Sequence, residues 1–460
     1  MFALMFAATL SFTACGGSDD PDSPDVPEQP DTPTTPDEPS KGEALSPTEQ
    51  KQRLDNIARE FMQNIPSTDF KSYADLGNHL NDTYSDYDWD NVGDWARKCW
   101  DDARTAVGGK PTVEQDSYGY CVYTEYKSLL LASNFVGHFK ADNGSRTWVK
   151  ESGKFDDLQF TFTDQNGKTC VLKLETGGKV QKVYLANVED WTDYESKNEN
   201  GIWKYYDYYD RTQCTIGVPE NIAVTLTQNG TQLVKATVKV GLGSLTGENF
   251  DISKGNLTAS ALVEMSNGYK FDVAQVAYSG NSKASLSYSM SKNGTKLASV
   301  TVAGDVSGIP SCNVEAFTRD DFDADFDSAT GKNVLVKIDI LGKLQLQGKV
   351  TDLRKYAELL DKADENDDNE QKFKQYLSSA NGCADISLFY DNTSVEQAKM
   401  QFDAFSDTYG GYTYWDAEPV LVFKDGSSNC MFDVFFNDVD FKATIDAFRD
   451  LVEKYENLIK

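Results

Sequence analysis

The segment "VTLTQNGTQLVKATVKV", residues 224–240, decides the fold. Ile222, Val224 and Leu226 alternate with Thr225 and Thr227 before the Asn229-Gly230 pair, and Val234, Ala236, Val238 and Val240 alternate with Lys235 and Lys239 after it. A period of two on both sides of Asn-Gly is the pattern of a β-hairpin with one apolar face. That hairpin has one wet face and one covered face, the cover being a helical cap, a second sheet or a bound lipid.

The same device recurs along the chain. "LSYSMSKNGTKLASVTVA" (286–303) again places Asn-Gly-Thr, one residue and then Leu after the turn, and "LQFTFTDQNGKTCVLKL" (158–174) is a looser copy. Asn-Gly pairs begin at Asn143, Asn166, Asn229, Asn267 and Asn293, each between alternating or β-branched runs. Stacked hairpins build a large antiparallel sheet rather than βαβ windings, as an open sheet, a sandwich or a half-barrel.

Helices flank this β-rich region of residues 119–350. Ser46, Pro47 and Glu49 form a start signature with a capping box, and Leu54, Ile57, Ala58, Phe61, Met62 and Ile65 follow at helical spacing. "SYADLGNHLNDTY" and "DNVGDWARKCWDDARTAV" add two amphipathic helices, which gives a helical region over 46–118. After the strand pair "NVLVKIDILGKLQLQGKV" (333–350), Leu353, Tyr356, Ala357, Leu360 and Ala363 open another helix. The spacing then predicts strand "ADISLFY", helix "SVEQAKMQFDAF", strands "PVLVFKDG" and "NCMFDVFFN", and a last helix striped by Phe441, Ile445, Phe448, Val452, Tyr455 and Ile459. The fold class is α+β, with residues 351–460 as a carboxy-terminal α+β unit.

The chain has 460 residues, 39% of them hydrophobic and 12% aromatic, with a formal charge of −29. So acidic a surface repels phosphate backbones, which excludes nucleic acid as a partner. Beyond residue 15 no stretch reaches the roughly 18 apolar residues of a membrane helix. Cys99, Cys121, Cys170, Cys214, Cys312, Cys383 and Cys430 are scattered without a C-x-x-C pair, so zinc and redox motifs are unsupported and an odd thiol is left over.

The amino end has a different character. Residues 2–14, "FALMFAATLSFTA", have the length of a signal-peptide core and end in a small residue before Cys15. Followed by the acidic "GGSDDPD", this segment resembles the signal of surface-exposed outer-membrane lipoproteins of the Bacteroidetes. The resemblance implies acylation at Cys15, a membrane anchor, and display on the cell exterior. Phe12 and Thr13 replace the usual Leu and Ala/Ser, and the missing basic stretch points to a start upstream of Met1. Pro21, Pro24, Pro27, Pro30, Pro33, Pro36 and Pro39 then fall at every third position, with acidic residues keeping the same period. Three residues per turn is the polyproline II repeat, so residues 15–45 read as an acylated stalk, extending about 3.1 Å per residue to roughly 90 Å.

Within the folded part, "WKYYDYYD" (203–210), preceded by Trp191 and Tyr194, is the densest aromatic cluster. Flat rings stack on sugar faces and neighbouring carboxylates accept hydroxyl hydrogens, so Trp191, Tyr194, Trp203, Tyr205, Tyr206, Tyr208 and Tyr209 are candidate glycan ligands. Tyrosine-rich strands that wrap an exposed sheet are the structural alternative. "RDDFDADFDSATG" (319–331) spaces Asp321, Asp323, Asp325 and Asp327 by two, but Phe326 and Lys332 stand where a calcium loop needs Gly and Glu. A solvated strand edge explains it better. "DSA" at 327–329 also resembles a Bacteroidetes O-glycosylation site.

No catalytic motif stands out. His79 and His138 are the only histidines, and neither lies near a G-x-S-x-G signature. No cofactor motif is present. The sequence therefore reads as a surface-anchored binding protein, a glycan-binding accessory protein first. The alternatives are a carrier of lipid or another hydrophobic ligand, similar in element order to LolA-type lipoprotein carriers, and a carboxylate-dependent glycoside hydrolase. A pilus subunit donating an extended segment is disfavoured by the terminal helix. A carrier predicts an apolar hollow on the covered face of the hairpins; a glycan binder predicts Trp203 exposed on a shallow surface.

Overall fold

The computed structural model describes residues 43–115, 119–244, 251–311, 328–391 and 393–459. The amino-terminal segment with Cys15, the proline stalk as far as residue 42, Cys312, and Asp321, Asp323, Asp325 and Asp327 lie outside the described residues. The fold is α+β: helices at the amino end, a large open antiparallel sheet, and helices toward the carboxyl end. Among the described residues the sheet contains 19 strands.

Helix α1 (Pro47–Asn64) starts as its sequence dictates. The Glu49 N–H donates to Ser46 Oγ, and the Ser46 N–H donates to the Glu49 carboxylate at 2.8 Å, completing the capping box. Helices α2 (Lys71–Tyr84) and α3 (Asp90–Ala103) follow. They pack Leu76, Tyr84 and Trp95 against Phe139, Trp148 and Phe162 of strands β4 (Gly137–Asp142), β5 (Thr147–Lys150) and β6 (Leu158–Thr163).

The sheet is a meander from β6 onward. Strands β7 (Thr169–Glu199), β8 (Ile202–Gln228), β9 (Thr231–Gly241), β10 (Asn256–Met265), β11 (Tyr269–Ser279), β12 (Lys283–Lys292), β13 (Thr295–Ser307), β14 (Thr330–Ile340) and β15 (Leu344–Asp352) each pair antiparallel with the next. The pairing continues through β16 (Ala384–Tyr390), β17 (Glu396–Tyr409), β18 (Tyr412–Phe423) and β19 (Cys430–Met431). Residues 351–460 thus extend the same sheet. Asn229 and Gly230 have φ of 47° and 77°, and Asn293 and Gly294 have 51° and 82°, the two positive values a type I′ turn requires.

Register places one kind of side chain on each face. A single row runs Ile222, Val238, Ala261, Val273 and Tyr288 from β8 to β12. It continues through Val300, Ile338, Leu346 and Leu388 on β13 to β16. The adjacent row, on the opposite face, runs Ala223, Thr237, Leu262, Asp272, Ser289, Ser299, Asp339, Gln345 and Phe389, polar through its middle. An apolar row alternates with a largely polar one, but burial does not follow the expected division into a wet and a covered face: the apolar row from Ile222 to Leu388 is half-buried throughout, and Asp339 and Gln345 of the polar row are buried. Two residues along the same face Phe271 and Ala298 are buried, and at the far side of the sheet Ala398, Leu421 and Phe423 are buried against Phe435.

Several elements depart from the sequence expectation. The helix expected to run on past Ala103 stops there, because Arg104 enters a short strand β1 (Arg104–Ala106) opposite Ser128, bridges Asp210 at 2.8 Å and lies over the Tyr126 ring. A second short strand, β2 (Thr112–Gln115), also falls in the region expected to be helical, and both pair with β3 (Tyr120–Leu131). "SVEQAKMQFDAF" is strand β17, not a helix, since Ala398, Met400, Phe402 and Ala404 alternate with Gln397, Lys399, Gln401 and Asp403. In "NCMFDVFFN" only Cys430–Met431 is strand; a short helix α6 (Phe432–Phe435) follows because Phe432 and Phe436 stack one turn apart and Phe435 is fully buried. After α4 (Leu353–Asp364), an unanticipated α5 (Glu370–Asn381) is capped by Asn369 and buries Phe373, Leu377 and Ala380. The terminal helix α7 (Lys442–Glu456) forms where expected. Among the described residues Cys99, Cys170, Cys214, Cys383 and Cys430 are free thiols.

Candidate functional site

The aromatic cluster sits on a long arm made by β7 and β8. Their pairing runs without interruption of direction from Cys170 opposite Gln228 to Glu199 opposite Ile202, around a turn in which Asn200 and Gly201 have φ of 55° and 84°. The near half of β8 lies in the sheet against β9. The far half instead takes β3 as a parallel neighbour, Tyr120 opposite Tyr206 through Leu131 opposite Gly217.

Alternation along β8 divides the seven candidate residues between two faces. Tyr206 and Tyr208 share one face with Glu195, Lys197 and Glu199 of β7 and Tyr120 of β3. There the Tyr206 hydroxyl donates to Glu199 at 2.8 Å and that of Tyr208 to Glu195 at 2.9 Å. Lys197 and Lys204 bridge Glu195 and Glu199, each at 2.8 Å, while Tyr120 stacks on Tyr206 with centroids 5.1 Å apart. The Lys197 ammonium and Tyr208 hydroxyl hold Glu195 below the usual carboxylate range, and Lys204 and Tyr206 do the same for Glu199. The hydrogen bond to Glu199 pushes the Tyr206 hydroxyl up. This face is closed upon itself by charge-assisted contacts.

The other face carries Trp203, Tyr205, Asp207 and Tyr209 of β8 with Trp191 and Tyr194 of β7. Trp191 and Tyr194 are three residues apart and belong on opposite faces of a regular strand. A bulge between Trp191 and Asp193 absorbs Thr192 and restores them to one side. Trp191 and Trp203 are each 60% exposed, Tyr194 49% and Tyr205 47%. The Trp191 indole N–H donates to Asp207 at 3.3 Å, and Tyr194 stacks on Tyr205 with an interplanar angle of 19°. Deeper on the arm, Tyr209 stacks on Tyr123 and the Arg211 guanidinium lies 3.8 Å from the Tyr123 centroid, tied to Glu189 at 2.7 Å. The result is an open aromatic strip with one oriented carboxylate in its midst.

Tyr120 and Tyr123 were not part of the sequence-level candidate set, because a parallel neighbour 86 residues away leaves no local trace. The Asn200-Gly201 turn is an Asn-Gly pair just before the aromatic run that was not among the five singled out in the sequence. A second exposed aromatic tip, Tyr409 and Tyr412 at the β17–β18 turn, was also missed.

The histidines are occupied elsewhere. His138 Nε2 lies 2.6 Å from Asp157 Oδ1 with Phe155 stacked on the ring, and Lys173 bridges the same carboxylate. His79 Nε2 lies 3.0 Å from the Thr163 carbonyl oxygen, beside a polar pocket lined by Asp82, Thr83, Tyr87, Asn143 and Arg146. Among the described residues no group of His, Cys, Asp or Glu is arranged to hold a metal, and no helix is long and apolar enough to cross a membrane. Comparison with protein-family models, with curated proteins and with solved structures finds no match to this chain.

Proposed function

We propose that this protein is a lipid-anchored binding protein of the outer cell surface that takes glycan chains onto the open face of the β7–β8 arm. One observation carries the reading. Trp191, Tyr194, Trp203 and Tyr205 keep about half or more of their surface in water on one face, while the opposite face of the same strands is tied together by ion pairs and hydroxyl bonds. A braced strip with exposed rings fits the flat apolar face of a pyranose. Asp207, held by the Trp191 N–H, is placed to accept sugar hydroxyl hydrogens.

Glycoside hydrolysis fits the arm less well than binding. Glu195 and Glu199 stand on the face opposite the exposed rings, each tied to a lysine and a tyrosine hydroxyl, out of reach of a chain laid on the strip. The acylated Cys15 and the stalk belong to the same proposal, as the means of holding the arm away from the membrane.

The test is affinity electrophoresis of the soluble body, residues 42–460, through gels containing plant, algal and host polysaccharides. Retardation by at least one polysaccharide is expected, weakened about tenfold by Trp203→Ala and by Trp191→Ala, in line with ~1–2 kcal/mol per truncated aromatic anchor. Unretarded migration in every gel refutes the reading.

A further inference from the structure

The β17–β18 hairpin repeats the composition of the arm toward the other margin of the sheet. Its pairing runs from Phe405 opposite Asp416, through Asp407 opposite Tyr414, to Tyr409 opposite Tyr412, and is closed by Gly410 and Gly411 with φ of 63° and 85°. Alternation puts those three pairs on one face. Phe402, Ala404, Trp415 and Ala417 take the other, packed against α4 and α5, with the Lys374 ammonium 4.3 Å from the Trp415 centroid. Helices thus brace one side of the hairpin while Tyr409 is 83% and Tyr412 71% exposed on the other, Asp407 and Asp416 being exposed beside them. A scattered surface aromatic needs no explanation, but two directly opposed rings held by a two-residue turn, with a third at Tyr414 and carboxylates next to them, form a patch of the kind that binds.

We infer that this tip is a second contact site for the same glycan, an uncharged polysaccharide, which rests on the reading of the arm given above. Register puts both stations on one face of the sheet. Asp207 shares the alternation of Ala223, whose row ends at Phe389, and Asp407 shares that of Lys399, opposite Ser387 on the strand of Phe389. Both also lie beyond the same ends of the strands, those that hold Gly241 and Asp352. Strands β8 and β17 are nine spacings of about 4.8 Å apart, up to roughly 43 Å along the sheet. A long chain touches both stations where a short fragment occupies one, and the second contact then acts at the effective concentration set by the first. Asp207, Asp407 and Asp416 accept hydroxyl hydrogens but repel sulfate or uronate groups, hence an uncharged chain. The same carboxylates oppose burial of the tip among lipid chains.

The soluble body, the pair Tyr409→Ala with Tyr412→Ala, the pair Tyr409→Trp with Tyr412→Trp, and Trp203→Ala are run through gels of uncharged and of sulfated polysaccharides. Each is also titrated with trisaccharide fragments of the polysaccharide that retards most. The alanine pair is expected to weaken retardation about tenfold and to reduce trisaccharide binding from two sites to one, and the tryptophan pair to restore both. Because the two rings are exposed, the thermal midpoint is expected not to move. Full retardation of the alanine pair in a gel that Trp203→Ala migrates through more freely overturns the inference and leaves the arm's role standing. Stronger retardation by the sulfated gels overturns it as well. So does an alanine pair that loses sedimentation with phosphatidylcholine vesicles and keeps its retardation, which assigns the tip to a lipid surface. Unretarded migration of the unaltered body in every gel removes the arm and the tip together.

Discussion

Thr192 sets what Trp191 can touch. It is the extra residue of the bulge, its hydroxyl bonded to the Tyr208 carbonyl at 3.1 Å, and because the bulge absorbs it Trp191 stands on the side of Trp203 and Tyr205. Deleting Thr192 removes no ring and no charge. The pairs on either side, Trp191 with Tyr209 and Asp193 with Tyr208, then close into a regular ladder and every side chain keeps its face. The deletion is therefore expected to keep polysaccharide retardation that Trp191→Ala weakens, while the thermal midpoint of the body moves by no more than a few degrees. Loss of retardation on deletion would show that the bulge itself, and not only the side on which Trp191 stands, shapes the strip. The candidate rings themselves were readable in the sequence as a dense aromatic run. Their division into five on one face and Tyr206 and Tyr208 on the other was half readable: alternation separates the β8 residues, but the bulge that brings Trp191 and Tyr194 together depends on pairing with the partner strand.

At the scale of elements, legibility followed the range of the interaction that decides each one. The Asn-Gly hairpins were legible because two residues with positive φ fix the turn locally. Strand β17 was legible in principle, through the alternation of Ala398, Met400, Phe402 and Ala404, but its Glu, Gln and Lys content carries helix propensity that neighbouring β16 and β18 override. The β3–β8 parallel pairing, the bracing neighbour of the arm, has no local signature at all. The arm as an element also has a pH dependence of definite sign. Glu195 and Glu199 are lowered by Lys197, Lys204 and two tyrosine hydroxyls, so their bonds stabilise the arm above the ordinary glutamate value of about 4.3 and fade as pH falls through the lowered values. Amide exchange, corrected for its intrinsic pH dependence, is expected to accelerate over residues 185–209 between pH 7 and about pH 3, with strands β11 to β13 protected at both. Equal protection of the arm at both values would mean that packing alone holds it.

For the whole molecule, one wide sheet carries both an exposed aromatic strip on the β7–β8 arm and an apolar row across its middle. Because the apolar row from Ile222 to Leu388 is only half-buried, its burial contributes less per residue and charge repulsion weighs more heavily in the balance. Seventy-three acidic residues face forty-four Lys and Arg. Many of the ion pairs are exposed contacts within one helix turn, such as Lys71–Asp75, Lys98–Asp102 and Lys454–Asp450, each contributing about 0–1 kcal/mol and weakened by salt. Against them stands the repulsion among the excess carboxylates, which acts over the whole surface and is screened as the Debye length shrinks from about 30 Å at 0.01 M to about 3 Å at 1 M salt. Repulsion is the larger of the two, because over residues 42–460 the 65 acidic residues outnumber the 43 Lys and Arg by 22. The melting temperature of the body is therefore expected to rise by several degrees between roughly 0.02 M and 0.5 M sodium chloride in a buffer held at pH 7. A fall over that range would place the ion pairs, rather than the apolar rows of the sheet, at the centre of what holds this protein together.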